Sequence, residues 1–262
     1  MADQMMEKWG WLKLFRFLLE GFEKGAMRSA DLVLPVCQSL ADKIEKFAPG
    51  KRYVLLHDMA MEFPAIPADT ENLRASLGIS GPMALYIGNL EHYQGIDLLL
   101  EGLAAAASPE LTLVVVGGKE GDVAKYQARV KELGLVGRAH LLGPRSLNRL
   151  SYYLEQADML ISPRLRGVNT PMKIYSYLLA GRAIIATRIE SHTQVLDDSF
   201  ARLVEPTPAA MGHVLKELAA DAALRSQLGE KAKEIARIRH SRTAYRAALL
   251  GAYDHLARVT HA

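Results

Sequence analysis

Residues 159–186 read MLISPRLRGVNTPMKIYSYLLAGRAIIA. Met159-Leu160-Ile161 is a continuous apolar run of strand length. A polar, basic loop opens at Ser162, a helix is expected from Pro171 to Leu179, and a second apolar run follows at Ala183-Ile184-Ile185-Ala186. Short strands that are apolar on both faces, separated by a helix, belong to a parallel sheet covered on both sides.

The same alternation extends outward. Upstream, strand Ala84–Ile87 leads to helix Ile96–Ala106, strand Leu111–Val116 to helix Val123–Leu133, and strand Ala139–Leu142 to helix Leu147–Ala157. Downstream, a short helix near Gln194 precedes strand Arg202–Val204, and three helices close the chain. The expected class is therefore α/β, a doubly wound parallel sheet of Rossmann-like type with extra N- and C-terminal helices. Before it, Glu7 to Arg28 reads as a helix, Ala30–Cys37 as a turn into a strand, Leu40–Phe47 as a helix with Ser39 as its cap, and Tyr53–Asp58 as a strand. Residues 63–70, with Pro64 and Pro67, read as a linker.

Composition agrees with a folded domain. Half of the 262 residues are hydrophobic and 23% are charged, too apolar for a disordered chain. A net charge of +3 is too small to argue for nucleic acid. The single Cys37 makes no intrachain disulfide and fits a reducing, cytoplasmic setting. No apolar run reaches spanning length, and the N-terminus lacks the cleavage pattern of a signal peptide.

In a doubly wound sheet, ligands sit at the C-terminal ends of the strands, so the chemistry is sought in four loops. The first, Gly88-Asn89-Leu90-Glu91-His92-Tyr93-Gln94-Gly95, is either a plain turn or a close backbone approach to a ligand. It is not the dinucleotide fingerprint. The second, Gly117-Gly118-Lys119-Glu120-Gly121, is either a solvated turn or a phosphate contact. The third carries most information: Arg164, Arg166 and Lys173 gather where Thr170 is expected to cap a helix with Pro171 in its first turn. Cations at a helix N-terminus oppose its dipole, so a multi-oxygen anion such as a diphosphate is the expected partner. In the fourth loop Ser191 is expected to cap the short helix, and His192 either meets substrate or bonds nearby backbone.

Together these loops resemble the retaining, two-domain GT-B glycosyltransferases of family 4 (glycosyl transferases group 1). Tyr86-Ile87-Gly88-Asn89-Leu90 with Gly95-Ile96-Asp97-Leu98-Leu99 is similar to that family's first donor-domain strand and helix. Ala157–Pro163 resembles its strand before the donor loop, and Ala180–Thr187 the strand that follows. Asn169-Thr170-Pro171-Met172-Lys173-Ile174-Tyr175-Ser176-Tyr177-Leu178 and His192-Thr193-Gln194-Val195-Leu196 are similar to patterns of one subgroup. The departures are specific. Of the family's two glutamates, the one on ribose aligns with Ser176 and the one on the donor sugar falls near Val168 or Arg166. Its usual Arg and Lys of the first loop fall at Asn89 and Gln94.

The resemblance implies Arg164 and Lys173 as the catalytic cations, and a donor site of Gly88, Asn89, Gly118, Arg166, Asn169, Thr170, Ser176, His192 and Thr193. It implies a nucleotide-diphosphate sugar as donor, no metal and no further cofactor, an unknown acceptor and no nucleic-acid partner. Two domains of ordinary size need about 350–400 residues. Residues 1–70 are thus expected to be a remnant of the acceptor domain, 71–242 the donor-binding domain, and 243–262 a helix packing back across the junction through Tyr245, Leu249, Ala252, Leu256 and Val259. The implied function is sugar transfer with retention, in polysaccharide or glycoconjugate synthesis. The alternative is a non-catalytic nucleotide-sugar binding module or degenerate fragment needing a partner subunit; an epimerase of the same fold is a third reading. The broad apolar face of residues 7–28 is expected either to pack on its own chain, to meet a partner or second copy, or to touch a membrane surface.

Overall fold

The computed structural model describes residues 16–60 and 70–260. Six parallel strands form one sheet: β1 Met83–Ile87, β2 Thr112–Val116, β3 Ala139–Leu141, β4 Met159–Ser162, β5 Ala183–Thr187 and β6 Arg202–Val204, in the order β3-β2-β1-β4-β5-β6. The chain winds outward from β1 in one direction, returns to β4 and winds outward in the other. That is the doubly wound Rossmann order, whose reversal lies between β1 and β4.

In chain order the α-helices are α1 Arg16–Ser29, α2 Gln38–Phe47, α3 Leu73–Leu77, α4 Ile96–Ala106, α5 Glu120–Glu132, α6 Leu150–Gln156, α7 Met172–Ala180, α8 Glu190–Thr193, α9 Pro208–Ala220, α10 Ala222–Arg239 and α11 Arg242–Thr260. Successive strand residues serve opposite faces of the sheet. Ala84 and Tyr86 pack with Leu99, Leu103 and Tyr126 from α4 and α5 and with Met211 and Leu215 of α9. Met83 and Leu85 pack with Tyr153, Ile174, Tyr177 and Ala232 from α6, α7 and α10. Both faces are covered, which is why the strand sequences show no polar alternation.

At the reversal the sheet opens. β1 and β4 pair only through Ala84–Met159 and Leu85–Leu160. Beyond that point the Tyr177 hydroxyl fills the gap, accepting from Ile87 N at 3.1 Å and donating to Ile161 O at 3.4 Å. Crossover helices on opposite faces force this divergence, and one phenol satisfies the backbone groups it strands.

Several local expectations are corrected. Ala30–Cys37 and Tyr53–Asp58 are not regular strands. They meet in a single parallel bridge, Val33 to Tyr53, continued by Leu56 N to Pro35 O at 2.9 Å. Helix α2 starts at Gln38 after Cys37, with no side-chain cap, so Ser39 is inside it. Helix α3, capped by Asn72 through Ala75 N, is too short for periodicity to reveal. The expected linker falls almost wholly outside the described residues, as do Trp9, Trp11, Leu12, Leu14 and Phe15 of the N-terminal helix.

The chain divides into two compact units, Met59–Ala244 and Met1–Asp58 with Tyr245–Ala262. In the smaller unit Lys43 pairs with Glu23 at 2.8 Å between α2 and α1. Ala252 and Leu256 of α11 line a cavity of about 230 Å³ with Leu32 and Leu34. Phe17, Leu18 and Phe22 on α1 are exposed. No helix among the described residues is long and apolar enough to cross a membrane.

Candidate active site

All four loops leave the C-terminal ends of their strands within the larger unit. The first and third flank the reversal and are knitted together. Leu165 N donates to Tyr93 O at 2.8 Å. Gly95 has φ +74°, and a Cβ there would lie 2.0 Å from Pro163 O, so only glycine permits both the left-handed turn and the contact.

Lys173, in the first turn of α7, reaches across this junction. Its Nζ lies 3.4 Å from Gln94 Oε1 and 4.0 Å from the Tyr86 ring centroid. Gly88 leaves room for it, since a Cβ there would stand 2.7 Å from the ammonium. Burial, and secondarily the Arg164 charge, lower the Lys173 pKa to about 7. A cation held over an aromatic face and one amide oxygen has lost most of its hydration, and among the described residues it gains no carboxylate. The Tyr86 hydroxyl donates to Asn89 O at 2.6 Å, fixing the ring beneath the ammonium. Tyr86 and Gln94 are site residues that the sequence shows only as a strand position and a turn position.

Arg164 organises the third loop. Its Nε donates to Arg166 O at 2.8 Å and its Nη1 to Asn169 O at 3.0 Å, while its guanidinium faces the Tyr93 ring at 5.3 Å. Gly167, at φ +143°, closes around it: a Cβ there would lie 2.1 Å from Nη2. Gln194 Nε2 donates to Val168 O at 2.7 Å and ties the third loop to the fourth.

Beneath the loops lies a buried polar knot. His192 is fully buried. Its Nδ1 lies 2.8 Å from Thr187 O, and its Nε2 lies 2.9 Å from Ser162 Oγ. A carbonyl only accepts, so Nδ1 carries the hydrogen and Nε2 receives the serine hydroxyl. Thr187 Oγ1 in turn donates to Arg164 O. The knot joins the ends of β4 and β5 to the root of the third loop. Burial, against the partial support of the Thr187 carbonyl, lowers the His192 pKa to about 4.

The family-model comparison matches residues 69–235 to the glycosyl transferases group 1. The chain belongs to that family. A D-inositol 3-phosphate glycosyltransferase of Xylanimonas cellulosilytica is 27% identical over 206 residues, covering 75% of this chain and 48% of that protein. A mannosylfructose-phosphate synthase of Agrobacterium fabrum is 27% identical over 148 residues, covering 51% and 33%. The chain spans about half the length, or less, of the curated relatives it matches. Among solved structures, Anabaena HepE in complex with UDP superposes with a TM-score of 0.75 at 18% identity, covering 88% of this chain and 65% of that one. Sucrose-phosphate synthase from Thermosynechococcus elongatus gives 0.75 at 21%, covering 92% and 62%. These likenesses establish the fold as that of the GT-B C-terminal domain.

Within this group 1 domain the expected site residues divide. Gly88, Arg164, the Asn169 carbonyl and Lys173 converge at the reversal. Gly118 serves the loops indirectly, because at φ +84° it lets Leu90 pack within 2.5 Å of where a Cβ would be. Asn89 and Arg166 have exposed side chains. Thr170 is not a cap: Pro171 occupies the N-cap position, and the Thr170 hydroxyl is buried without a hydrogen-bond partner among the described residues. Ser191 lies inside α8, whose N-cap is Ile189. Ser176 is buried on α7. His192 is turned inward to Ser162 Oγ and Thr187 O, the second of the two arrangements its sequence left open. Thr193 is exposed, its hydroxyl 3.4 Å from Ile189 O and Glu190 O.

Proposed function

We propose that this domain binds a nucleotide-diphosphate sugar at the β1–β4 reversal and, completed by an acceptor-binding partner or domain, transfers the sugar with retention. The observation that carries this reading is the buried Lys173 ammonium, held over the Tyr86 ring and Gln94 with no carboxylate partner among the described residues, on the ligand-binding edge of the sheet. In the same loop the Thr170 hydroxyl is buried with no hydrogen-bond partner among the described residues. The UDP bound by Anabaena HepE, a protein of the same fold, supports the choice of ligand class.

In the proposed reaction the bond from the anomeric carbon to the phosphate oxygen breaks and the diphosphate leaves with the electron pair. An acceptor hydroxyl oxygen forms the new bond on the same face, and its proton passes to the departing phosphate. Lys173 and Arg164 neutralise the charge that grows on the leaving group. No protein nucleophile and no metal are part of this scheme.

Calorimetric titration with UDP and UDP-sugars tests the reading. Lys173→Ala is expected to weaken binding by about 1–3 kcal/mol, the value of a charge-assisted bond. Equal affinity of variant and parent would overturn it. A second reading, binding without transfer, is favoured by Ser176 standing where the family's ribose-holding glutamate falls. Donor binding with no turnover, even beside candidate acceptor subunits, would select it.

A further inference from the structure

The opposite end of the sheet, where the strands begin, holds a second group of cations. Arg225, Gly229 and Lys233 recur every four residues on α10 and so form one ridge of that helix. Gly229 sits at its centre for a steric reason. A Cβ there would lie 2.3 Å from Gly181 O and 3.2 Å from Arg182 Cα. The helix backbone therefore rests directly on Gly181-Arg182, the step into β5. Arg182 is thereby bracketed by Arg225 and Lys233. The Lys233 stem covers Gly181, with Cδ 3.0 Å from the position of a Cβ.

Two adjoining cavities, of about 610 and 480 Å³, share Asp158, Arg182 and Arg225 in their walls, and Lys233 lines the second. Three carboxylates share these walls: Asp158 in both cavities, Glu155 in the first and Glu230 in the second. Asp158 pairs with Arg74 and accepts from Met83 N at 2.7 Å, and Glu230 accepts from Ser226 Oγ at 3.1 Å. Arg182 and Arg225 each give one Nη to backbone carbonyls, of Glu155 and of Leu218 and Ala219. Among the described residues, none of Arg182, Arg225 and Lys233 has a carboxylate within ion-pair distance. Arg182 Nε is buried with no hydrogen-bond partner among them.

We propose that this groove is a second anion site, distinct from the donor edge, that takes a small phosphorylated molecule between Arg182, Arg225 and Lys233. Two guanidinium forks and one ammonium around a cavity suit a phosphoryl group, whose oxygens accept from several directions at once. The site depends on no assumption about the sugar donor, since the length of β5 separates it from Thr187 and the loops.

The test is a titration of the isotopically labelled full chain with inorganic pyrophosphate at constant ionic strength, followed by amide signals. Saturable shifts at Gly181, Arg182 and Ser226 are expected, with a Kd of about 1 mM or tighter. Lys233→Gln changes an exposed side chain and spares the fold. It is expected to weaken these shifts about fivefold or more, as for a lost charge-assisted contact. Lys173→Ala is expected to leave them unchanged while removing any response of Gly88, which separates this site from the donor reading. The proposal is overturned if these three amides stay still, if Lys233→Gln leaves their curve unaltered, or if phosphatidylglycerol vesicles move them where pyrophosphate does not.

Discussion

Lys173 Nζ and Gln94 Oε1 stand 3.4 Å apart, joining a helix on one face of the sheet to a turn that enters a helix on the other. The resemblance places a lysine at position 94, and here a lysine from α7 arrives beside that position from the opposite wall.

The depressed Lys173 pKa, about 7, has a calculable sign. A lysine released by unfolding regains its ordinary value near 10.4, so between these values the unfolded chain binds more protons. This residue's contribution to stability therefore improves as pH rises from about 7 to about 10, and its full burden is felt below 7. A bound diphosphate favours the charged form. Binding of UDP at pH 8 is expected to take up nearly one proton, and at pH 5.5 almost none. Calorimetry in buffers of differing ionisation enthalpy measures this uptake; Lys173→Met should abolish it.

His192 supplies a second pH dependence, on the acid side. Its folded pKa of about 4 lies below the unfolded value near 6.5, so stability falls as pH drops through that interval, by up to roughly 3 kcal/mol. His192→Gln should flatten the slope of the denaturation midpoint between pH 6.5 and 4. An unchanged slope would assign the acid sensitivity to other groups.

Gly167→Ala should separate fold from site. Its Cβ would strike the Arg164 guanidinium and dislodge it from the carbonyls of Arg166 and Asn169. The loop lies outside the core, so the expected loss of stability is about 1 kcal/mol, whereas donor affinity should fall about tenfold or more. Comparing melting curves with UDP titrations checks the split.

Tyr177→Phe tests the opening of the sheet. Removing the hydroxyl leaves the part-buried Ile87 N–H unpaired, at a cost of about 1 kcal/mol or more. Amide exchange at Ile87 should quicken, while that at Leu113, whose N–H donates to Arg138 O at 2.8 Å on the far side of β2, should not.

The six strands of the parallel sheet were legible because sheets buried on both sides write themselves as uninterrupted apolar runs; Ala30–Cys37 and Tyr53–Asp58 are apolar runs of the same kind that form only a single bridge. Ile184 and Val114 need no partner information to be recognised as core. Cap positions were less legible. Thr170 and Ser191 have the right chemistry for caps, yet Pro171 and Ile189 hold those positions, because the path of the incoming loop decides where each helix can begin. His192 was ambiguous for a different reason. Whether an imidazole faces solvent depends on Ser162 and Thr187, thirty and five positions away, and no periodicity in a single sequence brings those three together. Tyr86 and Gln94 are silent in the sequence because a phenol in a strand and an amide in a turn carry no charge signal; their importance arises only from the cation set above them.

The lacing of the third loop by Arg164 and Gln194 has a kinetic meaning. Its carbonyls are already gathered and its turn already closed before any ligand arrives. Association at this edge should then follow a single exponential whose rate rises linearly with ligand concentration, without the plateau that a slow rearrangement imposes. The rate should drop steeply with added salt, since the remaining barrier is the encounter of opposite charges.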